Sequence, residues 1–420
     1  MLIGWILLCL PFCVRDEAEA GAIDHLFTAV SAVSTTGLAT VGTPTTYTAA
    51  GQVVILLLIQ AGGIGYMTLG SFVLLARHRE LTEDRQSIAR LAFSLPEGFR
   101  VAGFLRNVVL FTLTIETIGA VALYAAFRRV GVEDAGWQAM FHSVSAFCTA
   151  GFSIFPSGLE AFPADVWVNA VVAALSLSGA IGFLVMSDLF WSLSGRREKI
   201  TLTSRIILHA TFWTIAIGWA LIFLIEPSLR SMPAEERLMA SGFQAMTALT
   251  TVGFNTVPIG SLGTSTTFLM LLLMILGASP SGTGGGLKST SVSAALATTW
   301  SVLKSRPKVT FWGCEVPQHR LTAAFASLVF YVLVFFVGGL MLLIVQSAAA
   351  TETPFEDVVF EAASALGTVG LSRGATGELT PLGKLVIIGL MFIGRVGPVT
   401  FGLALLSGGT EVAEKDDLAI

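Results

Sequence analysis

Charge is scarce in this chain. Asp, Glu, Lys and Arg make up 12% of its 420 residues, against 54% hydrophobic residues and a mean hydropathy of +0.79. A soluble domain carries roughly 25% charge, so the composition points to a membrane-embedded chain. Basic residues do not even balance acidic ones: 24 against 28, a net charge of −4, which excludes a basic footprint for nucleic acid. Cysteine is rare. Four in the whole chain exclude a disulfide framework. The first apolar run puts Cys9 and Cys13 on one helix face, while Cys148 falls in a repeat and Cys314 in a loop. Five scattered histidines add no metal-ligand spacing. A nucleophile–base set converging in the apolar runs is also missing, which argues against an intramembrane enzyme.

What the chain does have is a nine-residue pattern in four copies: residues 31–39 (SAVSTTGLA), 145–153 (SAFCTAGFS), 247–255 (TALTTVGFN) and 364–372 (SALGTVGLS). Aligned, they place glycine in one column at Gly37, Gly151, Gly253 and Gly370. Thr35, Thr149, Thr251 and Thr368 stand two positions earlier. Phe27, Phe141, Phe243 and Phe360 stand four before the first Ser or Thr. The copies lie about a hundred residues apart, far beyond a solenoid period.

Each copy ends a short half-apolar run (24–33, 137–147, 237–249 and 355–366). Long apolar runs precede it (2–14, 101–127, 203–225 and 321–345) and follow it (52–76, 166–193, 266–303 and 382–406). The first run is short for a span and is read as a first spanning helix, with a signal peptide as the alternative. A helix of about 11 residues rises only about 17 Å, too little for a hydrocarbon core of about 30 Å. Such a helix must enter and return, and its non-helical backbone survives at that depth only against protein or a water-filled cavity.

The fold class expected is therefore an all-α membrane protein of four helix–re-entrant P-loop–helix repeats, in parallel pseudo-fourfold arrangement around one pore. The repeats divide at 1–77, 78–195, 196–304 and 305–420, the last carrying an acidic tail. Loops after the second long run are basic: Arg77, Arg79, Arg85, Arg90 and Arg100, then Arg196, Arg197, Lys199 and Arg205, then Lys304, Arg306, Lys308 and Arg320. The intervening loops are more acidic, as at Asp16, Glu17, Glu133, Glu235 and Glu356. Lys/Arg bias puts the first set in the cytoplasm, so the re-entrant loops open to the outside. All four share one orientation, unlike the inverted repeats of many alternating-access transporters.

A dehydrated cation needs several close oxygens, and rings of backbone carbonyls supply them. Successive carbonyls share an axis only where the chain visits unusual φ/ψ, which glycine does without a Cβ clash. The candidate ion ligands are Thr35, Thr36 and Gly37; Thr149, Ala150 and Gly151; Thr251, Val252 and Gly253; and Thr368, Val369 and Gly370. The competing reading is that these are helix-packing glycines.

Segments 141–153, 254–256, 277–289 (GASPSGTGGGLKS), 360–372 and 391–401 (MFIGRVGPVTF) resemble those of the Ktr/Trk/HKT superfamily of potassium transporters. The resemblance spans essentially the whole chain and is closest to the KtrB-type bacterial membrane subunits. It implies eight spanning helices, without the two extra N-terminal helices of TrkH-type members. Glycine in all four columns implies K⁺ preference; Ser in the first would resemble the sodium-permeable plant members. Cys148-Thr149 departs from the Asn residues usual in the second segment.

Within 266–303, the stretch Ser279, Pro280, Ser281, Gly282, Thr283, Gly284, Gly285, Gly286 and Lys288 interrupts an apolar run, and Pro with repeated Gly breaks a helix. The resemblance implies an intramembrane gate below the filter. A phosphate cradle fits poorly, because Leu287 parts Gly286 from Lys288 and no strand precedes. A passive helix kink is the other alternative. Arg395 lies in the middle of the last apolar run, where a charge costs at least about 2.5–3.5 kcal/mol. It is expected to face the pore beneath the filter, with an ion pair or snorkelling as alternatives. Glu116 is expected to bridge helices or bond a filter loop, Glu361 to bond a neighbouring filter loop or lie in solvent, and the tail after Gly409 to be solvated.

The function expected is K⁺ uptake across the bacterial cytoplasmic membrane, with no cofactor on this chain. The alternatives are an ion-coupled alternating-access transporter and a less selective Na⁺/K⁺ conductor. The resemblance further implies a membrane homodimer and a cytoplasmic ring of KtrA-like RCK subunits that bind ATP or ADP. These would dock on the basic loops at 77–100 and 196–205.

Overall fold

The computed structural model describes residues 1–76, 101–195, 200–280, 282–349 and 353–397. The basic loops at 77–100 and 196–199, Ser281 and the acidic tail lie outside the described residues, as do the repeat boundaries near 77 and 196. The chain is mostly helical. The first repeat holds α1 (Leu2–Leu8), α2 (Ala22–Ser34) and α3 (Ala49–Ala76). The second holds α4 (Val101–Arg129), α5 (Ala135–Phe147), α6 (Val166–Ile181) and α7 (Phe183–Leu193). The third holds α8 (Leu202–Ile225), α9 (Ala234–Thr250), α10 (Thr264–Leu276) and α11 (Ser289–Leu303), and the fourth α12 (Gln318–Ala348), α13 (Phe355–Gly367) and α14 (Pro381–Val396).

Local signals set these boundaries. Asp165, Thr201 and Thr380 each accept an N–H of the first turn of α6, α8 and α14, satisfying donors that the helix leaves unpaired. Acidic residues fall in the first turns of α2, α9 and α13 (Asp24; Glu235 and Glu236; Glu356 and Asp357), where the helix dipole favours negative charge.

Long and short helices differ in what they show to the outside. Residues 106–129, 202–225 and 320–348 are long and apolar enough to cross a membrane, and α6 with α7 passes the same test as a bent pair. Phe212, Trp213, Val329, Phe336 and Leu340 stand exposed on them. So many exposed large apolar side chains call for a lipid environment. The short helices α2, α5, α9 and α13 are instead buried over most of their length. All four phenylalanines of the repeat column are in the core.

Packing between repeats is cyclic. The helix that follows each short helix packs on the next repeat's short helix: α3 on α5, α6 on α9, α10 on α13, and α14 back on α2. Chain order and spatial order therefore agree around the molecule.

Four expectations need correction. The first apolar run does not continue as a helix: α1 stops at Leu8 and a 3-10 turn follows at Pro11–Cys13. Proline at 11 has no N–H to give and would clash with the carbonyl four residues back. Cys9 caps α1 and Cys13 lies in the turn, so they share no helix face. Residues 166–193 break at Gly182, whose φ of 86° is a left-handed conformation. There the backbone oxygens of Gly179 and Ala180 receive hydrogen bonds from Thr283 and Ser279. Residues 310–315, expected as loop, form a hairpin of Thr310–Phe311 and Cys314–Glu315, turning on Trp312 and Gly313 with φ of 45° and 83°. Positive φ at both turn positions matches the right-handed twist of the strands. Cys314 thus lies in a strand. The last run ends its helix at Val396, with Gly397 at φ 88°; its remainder lies outside the described residues.

Candidate ion-conduction site

Each short helix ends the same way. The N–H of Thr36, Ala150, Val252 and Val369 donates to the carbonyl of Ser31, Ser145, Thr247 and Ser364, at 2.9, 2.8, 3.2 and 2.8 Å. That is the reach-back bond of a helix terminated by one left-handed residue. Glycine usually fills that place. Here it is Thr35, Thr149, Thr251 and Thr368, with φ of 51°, 50°, 57° and 49°. A β-branched residue with positive φ is a genuine outlier, costing about 1–3 kcal/mol. The same outlier in all four repeats marks a backbone shape held for a purpose other than stability.

The glycines two positions on close a ring. A Cβ at Gly37 would lie closer than 3.0 Å to the Ala150 carbonyl oxygen. One at Gly151 would meet that of Val252, one at Gly253 that of Val369, and one at Gly370 that of Thr36. Segment one touches two, two touches three, three touches four, and four returns to one. The hydroxyls of Ser31 and Ser364 accept the Gly37 and Gly370 N–H at 3.1 Å, fixing these turns from behind.

The third repeat's interruption lies against all four threonines. Thr283 receives the Thr35 hydroxyl on its carbonyl at 3.5 Å, and its own hydroxyl stands 3.1 Å from that of Thr149. A Cβ at Gly284 would strike Thr251 Oγ1, and one at Gly285 would strike Thr368 Oγ1. Among the described residues the buried hydroxyls of Thr251 and Thr368 have no hydrogen-bond partner, whereas Thr35 and Thr149 donate to their preceding carbonyls at 2.8 Å. Three bonds anchor the stretch to the second repeat: Ser279 N to Ala180 O (3.1 Å), Thr283 N to Gly179 O (3.0 Å) and Thr283 Oγ1 to Phe147 O (3.1 Å). Gly286 closes back on Gly277. Pro280 lies within the described turn, and Ser281 outside the described residues.

Two cations hold this stretch. Lys288 donates to Gly284 O at 2.8 Å. Arg395 donates to Thr283 O, to Gly62 O and, at 2.9 Å, to Thr35 Oγ1. The guanidinium thus ties the fourth repeat to the first and third through hydrogen bonds.

Glu116 is buried behind the second segment. It accepts from Gln60 at 2.8 Å, and Cys148 Sγ lies 3.6 Å from both Glu116 Oε1 and Gln60 Oε1. It bridges α4 to α3 and to the residue before Thr149. Glu361 is wholly buried, not solvated. It accepts from Ser372 and from Thr376 (2.5 Å), bracing its own segment instead of a neighbouring one. Sequence reading missed its counterparts. His142 stands 2.8 Å from Ser153, and Gln244 donates to Thr256 at 3.5 Å. The signal was present: each is the residue after the column phenylalanine, a polar side chain in a buried helix, with a hydroxyl eleven or twelve positions on. Among the described residues, no group of three or more His, Cys, Asp or Glu could hold a metal ion.

Comparison with known proteins places the fold. A family model described as TrkH, cation transport protein, matches residues 6–406. The Ktr system potassium uptake protein B of Bacillus subtilis is 36% identical over 411 residues, covering 96% of this chain and 89% of that protein. The potassium/sodium uptake protein NtpJ of Enterococcus hirae is 35% identical, over 97% of this chain and 90% of its own length. The crystal structure of the potassium transporter TrkH from Vibrio parahaemolyticus shares the fold, with a TM-score of 0.76 at 21% identity, covering 96% of this chain and 83% of that one. The chain belongs to the TrkH family of cation transport proteins.

Proposed function

We propose that this protein takes up K⁺ across the bacterial cytoplasmic membrane, through four parallel helix–re-entrant loop–helix repeats around one pore. Carbonyls of the Thr-x-Gly segments form its filter, the stretch 279–288 its gate, and Arg395 a barrier in the path. The observation that carries this reading is the closed ring in which each glycine meets the carbonyl of the next segment. Carbonyl rings replace an ion's hydration shell without fixed charge. The short helices add the partially negative ends of their dipoles, which also favour a cation. The left-handed threonines supply the backbone shape, and the hydroxyls of Thr251 and Thr368, unpartnered among the described residues, supply two further oxygens toward the gate.

Flux through the purified chain in liposomes tests the reading. K⁺ flux well above Na⁺ flux is expected; equal fluxes favour a less selective conductor, as the name of the Enterococcus relative suggests. Transport that requires a coupling ion gradient favours alternating access. Membership of a named Ktr system by the Bacillus relative supports assembly with further components. The chain is read as a homodimer that docks a cytoplasmic RCK-type ring binding ATP or ADP. Pull-down of a KtrA-type subunit with nucleotide-dependent flux is expected. A strict monomer whose flux ignores that subunit would reject the assembly and leave the pore reading standing.

A further inference from the structure

A cavity of about 300 Å³ is lined by residues of the third repeat and of the hairpin that follows it. Its wall is mainly apolar, with Trp213, Leu249, Leu276, Val292, Leu296 and Trp312. Trp213, Leu296 and Trp312 are exposed toward the outside of the bundle, the side that a bilayer covers. Its lining includes Leu276, Gly277 and Ser289, which flank the interrupting stretch. Gly277, at φ 48°, packs against Leu287 O, Gly285 O and the Gly286 carbonyl carbon.

Positive charge neighbours the lining residues. Arg205, in the first turn of α8, lies 4.7 Å from the Trp312 ring, which His209 also meets at 5.0 Å. On α11 the face that carries Val292 and Leu296 into the cavity continues, at four-residue steps, to Trp300 and Lys304, and Lys304 Nζ sits 4.4 Å from the Trp300 ring. Tryptophan paired with Lys or Arg marks the headgroup level of a bilayer. The Lys/Arg bias of the loops makes this the cytoplasmic end, where anionic lipids gather and basic pockets between helices bind their headgroups.

We propose that this cavity takes one acyl chain of an anionic phospholipid from the cytoplasmic leaflet, its phosphate held by Arg205 and Lys304, and that the bound chain keeps the gate shut. The second half rests on reading 279–288 as a gate. A filled cavity denies Leu276 and Gly277 the space into which they would retreat, so Gly284 and Gly285 stay pressed on Thr251 and Thr368. Dispersion contacts and apolar burial hold the tail, and the cationic pair selects the headgroup.

The full chain is purified and offered phosphatidylglycerol and phosphatidylcholine together. Retained lipid is read by native mass spectrometry, and K⁺ flux in vesicles made with and without phosphatidylglycerol. Wild type should retain phosphatidylglycerol at about tenfold preference and conduct more slowly when it is present. Ala210 also lines the cavity; Ala210→Phe fills it, so this variant should retain no lipid and conduct slowly in both vesicles. Arg205→Gln with Lys304→Gln should lose the headgroup preference and conduct fast in both. If Ala210→Phe does not fold, Leu296→Trp on the facing wall serves. Retention by the filled variant equal to wild type would overturn the binding site. A wild-type flux indifferent to phosphatidylglycerol, with retention intact, would overturn the gating half. An oligomer that dissociates in Ala210→Phe would assign the cavity to a second copy of the chain and overturn the proposal. Absence of K⁺ flux in every form would instead strike the pore reading, while retention still decides the site.

Discussion

The ring and the stretch beneath it are built on opposite plans. The ring uses four copies of one turn, each closed by the same reach-back hydrogen bond and each resting on the next. The stretch at 277–288 comes from one repeat alone. It reaches all four threonines by three different means: a carbonyl, a hydroxyl and, twice, a bare glycine Cα position. Repetition suits a task in which an ion must be held equally from all sides. A single insertion suits a task in which one element moves and the others stay still. Only the ring carries the cost of left-handed threonine, and it carries it four times. The stretch uses glycine at its positive-φ positions, Gly277 and Gly286, where no such cost arises.

The largest effect should come from the ring. Serine at Gly370 places a Cβ against Thr36 O, closer than atoms tolerate, so the turn must shift and its carbonyls with it. K⁺/Na⁺ discrimination, measured by paired flux, should fall about tenfold or more. Gly37, Gly151 and Gly253 should behave alike, since each meets a carbonyl in the same way. One glycine that tolerates serine with discrimination intact would break the equivalence of the four copies.

The next effect belongs to the stretch, and it should be of a different kind. If the proposed reading of this element as a gate holds, shortening 279–286 should raise K⁺ flux severalfold and weaken its dependence on a cytoplasmic partner, with discrimination unchanged, because a gate blocks the path without lining the filter. Flux that vanishes in a correctly inserted variant would mean that the stretch does more than gate. Arg395→Gln should have a smaller effect. It removes charge from a site that now donates to Thr283, Gly62 and Thr35, and a cation passing a guanidinium at low dielectric is repelled. Current–voltage relations should change by a few fold while discrimination holds. Wild-type currents across the voltage range would remove Arg395 from the path.

The two plans also differed in how far the sequence disclosed them. The short helices were legible to within a few residues, because a run of 11 apolar-faced residues ending at Thr-x-Gly has few ways to fold in a bilayer. The interruption at 277–288 was legible from its proline and glycines. The break at Gly182 was not. Its flanks are apolar on both sides, and what bends it is hydrogen bonding from Ser279 and Thr283, about a hundred residues away. The bracing pairs His142–Ser153 and Gln244–Thr256 use different side chains in different repeats, so no single residue type marked them. The hairpin at 310–315 turns on Trp-Gly, which lacks the Asn or Asp that usually announces such a turn. Tertiary contacts, not local preference, decided the parts that were missed.

The smallest effect on discrimination concerns an ion pair that ties the fourth repeat to the first away from the four turns. Lys384, in the first turn of α14, lies 2.6 Å from Asp24 in the first turn of α2, linking the fourth repeat to the first. Burial pushes the Asp24 carboxyl up. Hydrogen bonds from Lys384, Thr40 and the Gly21 N–H, with the Lys384 charge, more than offset this, and the group settles below its ordinary value of 3.8. A carboxyl depressed in the folded state stabilises above its unfolded pKa, and that contribution is lost as pH falls through the folded value. The pair is mostly buried, so Lys384→Met, which leaves Asp24 with Thr40 and the Gly21 N–H alone, should cost about 1–3 kcal/mol near neutral pH. Thermal unfolding in detergent should show the difference from wild type shrinking as the pH drops below about 4. Discrimination should not change, because the pair touches none of the four turns. A penalty that stays constant down to acid pH would mean that Lys384 contributes through its aliphatic stem and not through Asp24. A loss of discrimination would mean that the fourth segment depends on this closure in a way the other three do not.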